Sequence, residues 1–155
     1  MRHTISVLVE NKFGVLSRIS SLFSARGYNI DSLTVGETQD PTMSCMTIVV
    51  NAKDENILEQ IKKQLHKLID VITVVDFTRK EYIERELLLV KVAKGDGKII
   101  EKLVKEYPLK VAEDKKDYCI MEICACSSDI DQILEKIKGL EVKELVRTGK
   151  LAIAK

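Results

Sequence analysis

The chain has 155 residues, of which 45% are hydrophobic and 32% charged, and its 25 Lys and Arg nearly balance its 24 Asp and Glu. This composition excludes a disordered chain, because the apolar fraction is high and the net charge is only +1. The balance argues against binding to nucleic acid, which needs an excess of basic side chains. No apolar run is long enough to cross a membrane and no signal-peptide core is present, so we expect a cytoplasmic protein.

The side chains that most often bind metals or carry redox chemistry are few. They are His3, His66, Cys45, Cys119, Cys124 and Cys126. A strand would place Cys124 and Cys126 on one face, but a metal site favours CxxC pairs or nearby histidines. We therefore interpret the cysteines as small buried hydrophobes and predict no metal site.

The first half of the chain is predicted to run strand, helix, strand, strand, helix, strand. The strands are His3–Glu10, Tyr28–Gly36, Ser44–Asn51 and Val71–Phe77. Apolar residues at 15, 16, 19, 22 and 23, and again at 57, 58, 61, 65, 68 and 69, have the spacing of buried helical stripes. Gly27 is placed to end the first helix, Asp40-Pro41 forms a turn, and Asp54 caps the second helix.

The second half repeats this order without evident sequence identity to the first. Its strands are Glu86–Ala93, Lys110–Glu113, Tyr118–Cys126 and Val142–Arg147, followed by the short apolar segment Leu151–Ala154. One helix, capped by Asp96, runs to Pro108, and another opens at Ser128 or Asp129. We predict an α+β fold with two ferredoxin-like βαββαβ domains, residues 1–79 and 80–155, joined by a linker at Tyr82–Arg85.

The first predicted sheet has apolar residues on both faces, although helices cover only one. Ile5, Val7 and Val9 alternate with Leu8, and residues 48–50 are continuously apolar. Domains of about 80 residues are also marginally stable alone. We therefore predict a homodimer whose sheets join side by side or back to back.

No catalytic constellation is present in the sequence. It contains no HExxH, GxSxG, Gly-rich phosphate loop or CxxC motif, and we interpret His3 and His66 as surface histidines. We therefore predict no catalytic residues and a chain that is not an enzyme.

The segment from Glu10 to Arg18, which joins the first strand to the first helix, has the features of an amino-acid site. Gly14 permits close approach of the backbone to a ligand, and N–H groups at the start of the helix favour a carboxylate. Asn11, with Asn29 from the same or a neighbouring subunit, offers amide groups for the ammonium. On spacing alone, a plain tight turn is the slightly better explanation.

Residues 9–41, VENKFGVLSRISSLFSARGYNIDSLTVGETQDP, resemble an ACT domain, a small amino-acid-sensing module. The pattern VENxxGVLSRIxxLFxxRGYNIDSLTVG is similar, more specifically, to the small regulatory subunit of acetohydroxyacid synthase, also called acetolactate synthase. LEQIKKQLHKLIDVITVVDFT (58–78) and RELLLVK (85–91) extend the resemblance over the whole chain.

The resemblance implies a non-catalytic subunit that activates a large catalytic subunit and confers feedback inhibition by valine, in the biosynthesis of valine, leucine and isoleucine. It places thiamine diphosphate, Mg²⁺ and FAD on that large subunit and no cofactor on this chain. It also implies a valine site between two ACT domains, with its carboxylate at the helix N-terminus. The implied valine-binding residues are Asn11, Gly14, Val15, Leu16, Asn29 and Ile30.

Two other functions are compatible with parts of the sequence. One is a stand-alone ACT-domain sensor that acts on another protein, which copurification with a thiamine-diphosphate enzyme would distinguish. The other is an enzyme, since some ferredoxin-like folds are catalytic, but paired acid, base and nucleophile are missing.

Overall fold

The computed structural model describes residues 2–52, 55–93 and 98–155. They form two compact units. The first runs to Ile83 and also includes Lys150–Lys155, and the second comprises Glu84–Gly149. Each unit contains an antiparallel sheet and two helices, so the predicted α+β class is confirmed. The predicted caps Asp54 and Asp96 lie outside the described residues.

The first unit has the predicted order of elements. They are β1 (Arg2–Glu10), α1 (Val15–Ser24), β2 (Ile30–Glu37), β3 (Met43–Asn51), α2 (Glu55–Leu65) and β4 (Val71–Asp76). The strands lie in the order β2-β3-β1-β4, and each neighbouring pair is antiparallel. β2 and β4 are therefore the edge strands of this sheet.

One face of the first sheet packs against α1 and α2. Ile5, Val7 and Val9 alternate along β1 and are completely buried, as expected for a strand covered on one face. The helices contribute residues at three- and four-residue spacing, which is the stripe of an amphipathic helix. These core residues are Val15, Ile19, Leu22, Phe23, Leu58, Ile61 and Leu65.

The predicted stripe of α2 extends too far at its C-terminal end. α2 ends at Leu65, because the N–H groups of Lys67 and Leu68 donate to carbonyls only three residues earlier. The chain tightens into a turn, and Ile69 is exposed instead of joining the core. Including Ile69 in the stripe was therefore wrong.

The second unit repeats the layout. Its elements are β5 (Tyr82–Ala93, whose first two residues belong to the first unit), α3 (Lys98–Glu106), β6 (Leu109–Asp114), β7 (Tyr118–Ala125), α4 (Ser127–Ile137) and β8 (Val142–Arg147). The strands are antiparallel in the order β6-β7-β5-β8. Alternate residues of β5 and β7 and one stripe of α4 form the core, including Leu88, Val90, Val92, Met121, Ile123, Ile130 and Ile133.

The register of the edge strand β8 is held by an ion pair. Arg147 donates to both carboxylate oxygens of Glu86, at 2.6 and 2.8 Å. Glu86 is buried, and its hydrogen bond raises the pKa of Arg147. Because every residue of β8 is exposed, burial alone would specify its register weakly.

The boundary between the two units falls inside the predicted linker, Tyr82–Arg85, and these residues form the beginning of β5. The last strand, β9 (Leu151–Ala154), pairs with β5, and the N–H of Lys155 donates to the carbonyl of Glu81. β5 therefore begins four residues before its predicted start at Glu86, because the strand that pairs with its first residues comes from a distant part of the sequence.

β9 also covers part of the second face of the first sheet. The N–H of Lys150 donates to Ser32 Oγ at 3.0 Å, and β9 lies in contact with β1. Thr4, Thr47 and Val49, which point to this face, are buried. Part of the face that we expected a second copy to bury is therefore covered by β9 of the same chain.

The cysteines differ in their environments. Cys119 is buried, Cys45 and Cys126 are half-buried, and Cys124 is exposed, because β7 turns alternate residues away from the core. Their interpretation as buried hydrophobes was therefore correct only for Cys119. Cys126 follows β7 and precedes the first residue of α4, Ser127, so the predicted helix start at Ser128 or Asp129 was late.

Residues 2–52, 55–93 and 98–155 contain no cluster of His, Cys, Asp or Glu arranged to hold a metal. In the same ranges, no helix is both long enough and apolar enough to span a membrane.

Gly27 offers a test of the turn after α1. It has φ +68°, and the N–H of Tyr28 beyond it donates to the carbonyl of Phe23. No atom lies within 4 Å of a Cβ added at Gly27 or at Gly139, but only Gly27 is left-handed. In urea unfolding, we expect Gly27→Ala to lower the free energy of unfolding by about 1 kcal/mol. The control Gly139→Ala should not be destabilised, and equal losses would contradict this explanation.

Candidate functional site

The loop between β1 and α1, residues 11–14, is the central feature of the candidate site. Its first residue is anchored by the N–H of Asn11, which donates to the carbonyl of Thr42 at 2.7 Å. The loop then turns sharply, since the N–H of Lys12 donates to the carbonyl of Glu10. Gly14 has φ +83°, a left-handed conformation that side chains disfavour, so a glycine is suited to this position. The chain therefore makes the expected tight turn here.

The positive end of the α1 helix dipole has no compensating side chain in the first turn of the helix. Gly14 provides no side-chain cap, and the first turn contains no acidic residue. The N–H groups of Leu16 and Ser17 lie in that turn, where no intrahelical acceptor exists. With the helix dipole, they form a cradle suited to a carboxylate.

Val15 differs from its predicted role. Its side chain is buried, and its N–H donates to the carbonyl of Lys12 at 3.3 Å, within the turn. The N–H of Val15 is therefore not a free, outward-pointing donor as the sequence suggests. Leu16 is 45% exposed and remains available to a ligand.

Asn11 is oriented by contacts with the β2–β3 hairpin. Its Nδ2 donates to Glu37 Oε1 at 3.1 Å and to the carbonyl of Pro41 at 2.9 Å. Both amide hydrogens are thus used within the chain, which leaves Oδ1 as the group for a ligand ammonium. Glu37 and Pro41 were missed by sequence reasoning, because their role depends on the hairpin bringing them to Asn11.

Local hydrogen bonds fix the charges around the loop. The hydrogen bond from Lys12 to Glu10 raises the pKa of the Lys12 ammonium. The hydroxyl and N–H of Thr42 donate to Asp40 and lower the pKa of its carboxyl group. These contacts favour the ionised forms of both residues, and those at Asp40 also stabilise the turn that contains Pro41.

Asn29 and Ile30 lie at the other end of the sheet. Asn29 immediately precedes β2, and its Nδ2 donates to Asp31 Oδ1 at 2.6 Å. Asn11 contacts Glu37, at the far end of β2. Seven residue steps of about 3.3 Å separate Ile30 from Glu37, or about 23 Å. The structure therefore does not bring Asn29 and Ile30 together with the Gly14 cradle in one chain.

Four further residues near the loop were missed by sequence reasoning. Arg18 pairs with the buried Asp70, and Phe13 and Ile69 have relative exposures of 102% and 95%. Asp70 and Ile69 belong to the turn between α2 and β4, residues 66–70. The only signal in the sequence is the isolated acid between Ile69 and Val71, whose partner depends on the tertiary fold.

Comparison with known proteins agrees with this architecture. Residues 5–73 match the model of the AHAS small subunit-like ACT domain, and residues 85–155 match that of the small subunit of acetolactate synthase. A probable acetolactate synthase small subunit of Archaeoglobus fulgidus is 41% identical over 100% of this chain and 98% of its own length. The acetolactate synthase small subunit of Bacillus subtilis is 38% identical over 100% of this chain and 91% of its own length.

A solved structure agrees as well. The crystal structure of the acetolactate synthase small subunit from Thermotoga maritima is 35% identical, with a TM-score of 0.90, and the match covers 100% of this chain and 98% of that one. This chain belongs to the acetolactate synthase small-subunit family. It is a regulatory, non-catalytic subunit in branched-chain amino-acid biosynthesis, which confirms the resemblance identified from residues 9–41.

Proposed function

We propose that two copies of this small subunit join through their ACT domains and bind valine, or another branched-chain amino acid, between them. The observation that carries this proposal is the separation of the two groups of site residues. The cradle at Gly14 and the residues Asn29 and Ile30 lie at opposite ends of β2, so one copy alone cannot form the site.

Antiparallel pairing of two β2 strands would unite the halves. β2 is an edge strand, so its outer side is available to another strand. Pairing about its middle, near Leu33 or Thr34, sets Asn29 of the second copy close to Glu37 of the first. Because Asn11 contacts Glu37, both asparagines and the cradle would then border one space.

The groups bordering this space fit a zwitterionic amino acid. The N–H groups of Leu16 and Ser17 receive the carboxylate, aided by the helix dipole. Oδ1 of Asn11 accepts from the ammonium, together with the amide oxygen of Asn29 from the second copy. The exposed side chain of Leu16 and the half-buried Ile30 of the second copy supply apolar contacts for a branched side chain.

We further propose that the chain binds the large catalytic subunit of acetolactate synthase and activates it. Thiamine diphosphate, Mg²⁺ and FAD belong to that subunit in this proposal. Phe13 and Ile69 support a protein partner, because exposed large apolar side chains in neighbouring loops favour an interface. The cytoplasmic location expected from the sequence stays a prediction.

A carboxylate introduced into the cradle tests the ligand's position. We expect Gly14→Asp to weaken L-valine binding by about a hundredfold or more, because it would repel the ligand's carboxylate. Isothermal titration calorimetry measures the affinity. Gly14→Ala is the matched control, since it imposes the same backbone strain without the charge. Unchanged affinity in Gly14→Asp would contradict the site, and equal loss in both variants would attribute the effect to strain.

Mixed dimers test whether the site is shared between copies. Asn29→Ala and Gly14→Asp should each weaken valine binding strongly at both sites of a homodimer. In a dimer of one variant with the other, one site carries both defects and the second site carries neither. We therefore expect a co-expressed, tandem-tagged mixed dimer to bind one valine per dimer with the wild-type affinity. No recovery would show that the residues do not combine across two chains.

The exposed apolar side chains test the contact with the large subunit. We expect Phe13→Ser and Ile69→Ser each to raise the concentration of small subunit needed for half-maximal activation by about tenfold, as for central interface residues. Ile153→Ser, which alters an exposed apolar residue of β9, is the control and should leave this concentration unchanged. Equal effects at all three positions would contradict a specific surface.

A further inference from the structure

Arg18 and Asp70 form an ion pair beside the ligand cradle. Nε and Nη2 of Arg18 lie 2.8 and 2.7 Å from the same oxygen of Asp70, Oδ2. Asp70 is buried, with a relative exposure of 6%, whereas the side chain of Arg18 is half-exposed. A buried carboxylate requires such a partner, so the position of Asp70 strongly restrains the guanidinium.

The guanidinium of Arg18 also lies against Gly14. A Cβ added at Gly14 would be 3.0 Å from Nη1 of Arg18. The N–H of Arg18 donates to the carbonyl of Gly14 at 2.9 Å, so both the backbone and the side chain of Arg18 contact this residue. The position of the Arg18 guanidinium therefore depends on the conformation of the turn at Gly14 that forms the cradle.

Asp70 contacts the opposite end of the same loop through its backbone. Its carbonyl accepts from the N–H of Glu10 at 2.9 Å, at the end of β1. Asp70 thus contacts the residue that precedes the loop and, through its carboxylate, a residue of the first turns of α1. A displacement of either side of the loop changes a contact of Asp70.

We infer that Arg18 and Asp70 are positioning residues that couple the ligand cradle to the turn between α2 and β4. When the effector binds at the cradle, the movement of Gly14 and α1 reaches Asp70 through Arg18. It thereby reaches Ile69, the exposed neighbour of Asp70 on that turn. This inference rests on the proposed effector site, because without an effector the pair would only stabilise the fold.

The coupling is tested by a double-mutant cycle on the full chain reconstituted with the large subunit. The variants are Arg18→Gln, Asp70→Asn and the double variant, and the readout is the L-valine concentration that gives half-maximal inhibition. We expect each single variant to raise this concentration about tenfold. The double variant should raise this concentration no more than the stronger single variant does, because both changes break one connection.

Asp76→Asn is the matched control. It removes a carboxylate that pairs with Lys62 in the same unit, away from the cradle. This control should leave the valine concentration for half-maximal inhibition unchanged. Arg18→Lys keeps the charge but loses the planar fork, so it should recover part of the response lost in Arg18→Gln.

Amide hydrogen exchange distinguishes coupling from a purely structural role. If the ion pair only stabilised the fold, its removal would leave the valine-induced change in exchange intact. In the wild type, L-valine should slow exchange at residues 66–70. In Asp70→Asn this change should be lost, even at saturating valine and well below the unfolding temperature. If Asp70→Asn keeps the wild-type response in both assays, the inference is overturned while the effector site stands. If the wild-type protein itself does not respond to valine, the proposed function fails as well.

Discussion

The burial of Ile5, Val7 and Val9 on the helix-covered face of β1 is the constraint on which the rest of the first unit depends. β1 lies between β3 and β4, and its residues Ile5, Val7 and Val9 are covered by both helices. A shift of one residue would turn these side chains away from the helices, so the register of the central strand is strongly specified. The end of β1 is therefore fixed at Glu10, and the loop that contains Gly14 starts from a rigid point. If an effector binds at this loop as proposed, the strand that precedes it contributes to the precision of the site.

Buried carboxylates paired with half-exposed arginines appear in both units, but they act on different parts of the fold. Glu86 and Arg147 join β5 to the exposed edge strand β8. Asp70 and Arg18 join a turn to a helix. In each case burial of the carboxylate carries a desolvation penalty, and removal of the arginine would leave a buried charge without a partner. Each pair therefore connects two segments that are distant in the sequence.

The sequence predicts most of the fold because local patterns determine it. Periods of two and of three to four residues identified the strands and helices, and left-handed geometry was correctly expected at Gly27. The errors fall where a distant segment decides the outcome. Tyr82–Arg85 lie in a strand because β9 pairs with β5, and the position of Ile69 depends on how α2 ends. Neither feature leaves a periodic signal in the nearby sequence.

The same distinction applies to the candidate site. Asn11, Gly14 and Leu16 are adjacent in the chain, so their grouping was readable from the sequence. Glu37 and Pro41, which use both amide hydrogens of Asn11, reach it only through the hairpin. The separation of Asn29 from the cradle also follows from the length of β2 in the folded sheet. Sequence reasoning therefore left two possibilities for Asn29, from the same chain or a neighbour, and the geometry excludes the first.

The return of β9 to the first unit has a consequence for how the protein is made. Residues up to Ile83 leave the ribosome first, but the strand that covers part of their sheet is near the end of the chain. During synthesis, the face of the sheet that includes Ser32 and Thr47 stays partly uncovered until Lys150–Lys155 have been made. The first sheet is thus synthesised before the strand that covers part of it. The first unit therefore reaches its final form only after the second unit and β9 have been synthesised.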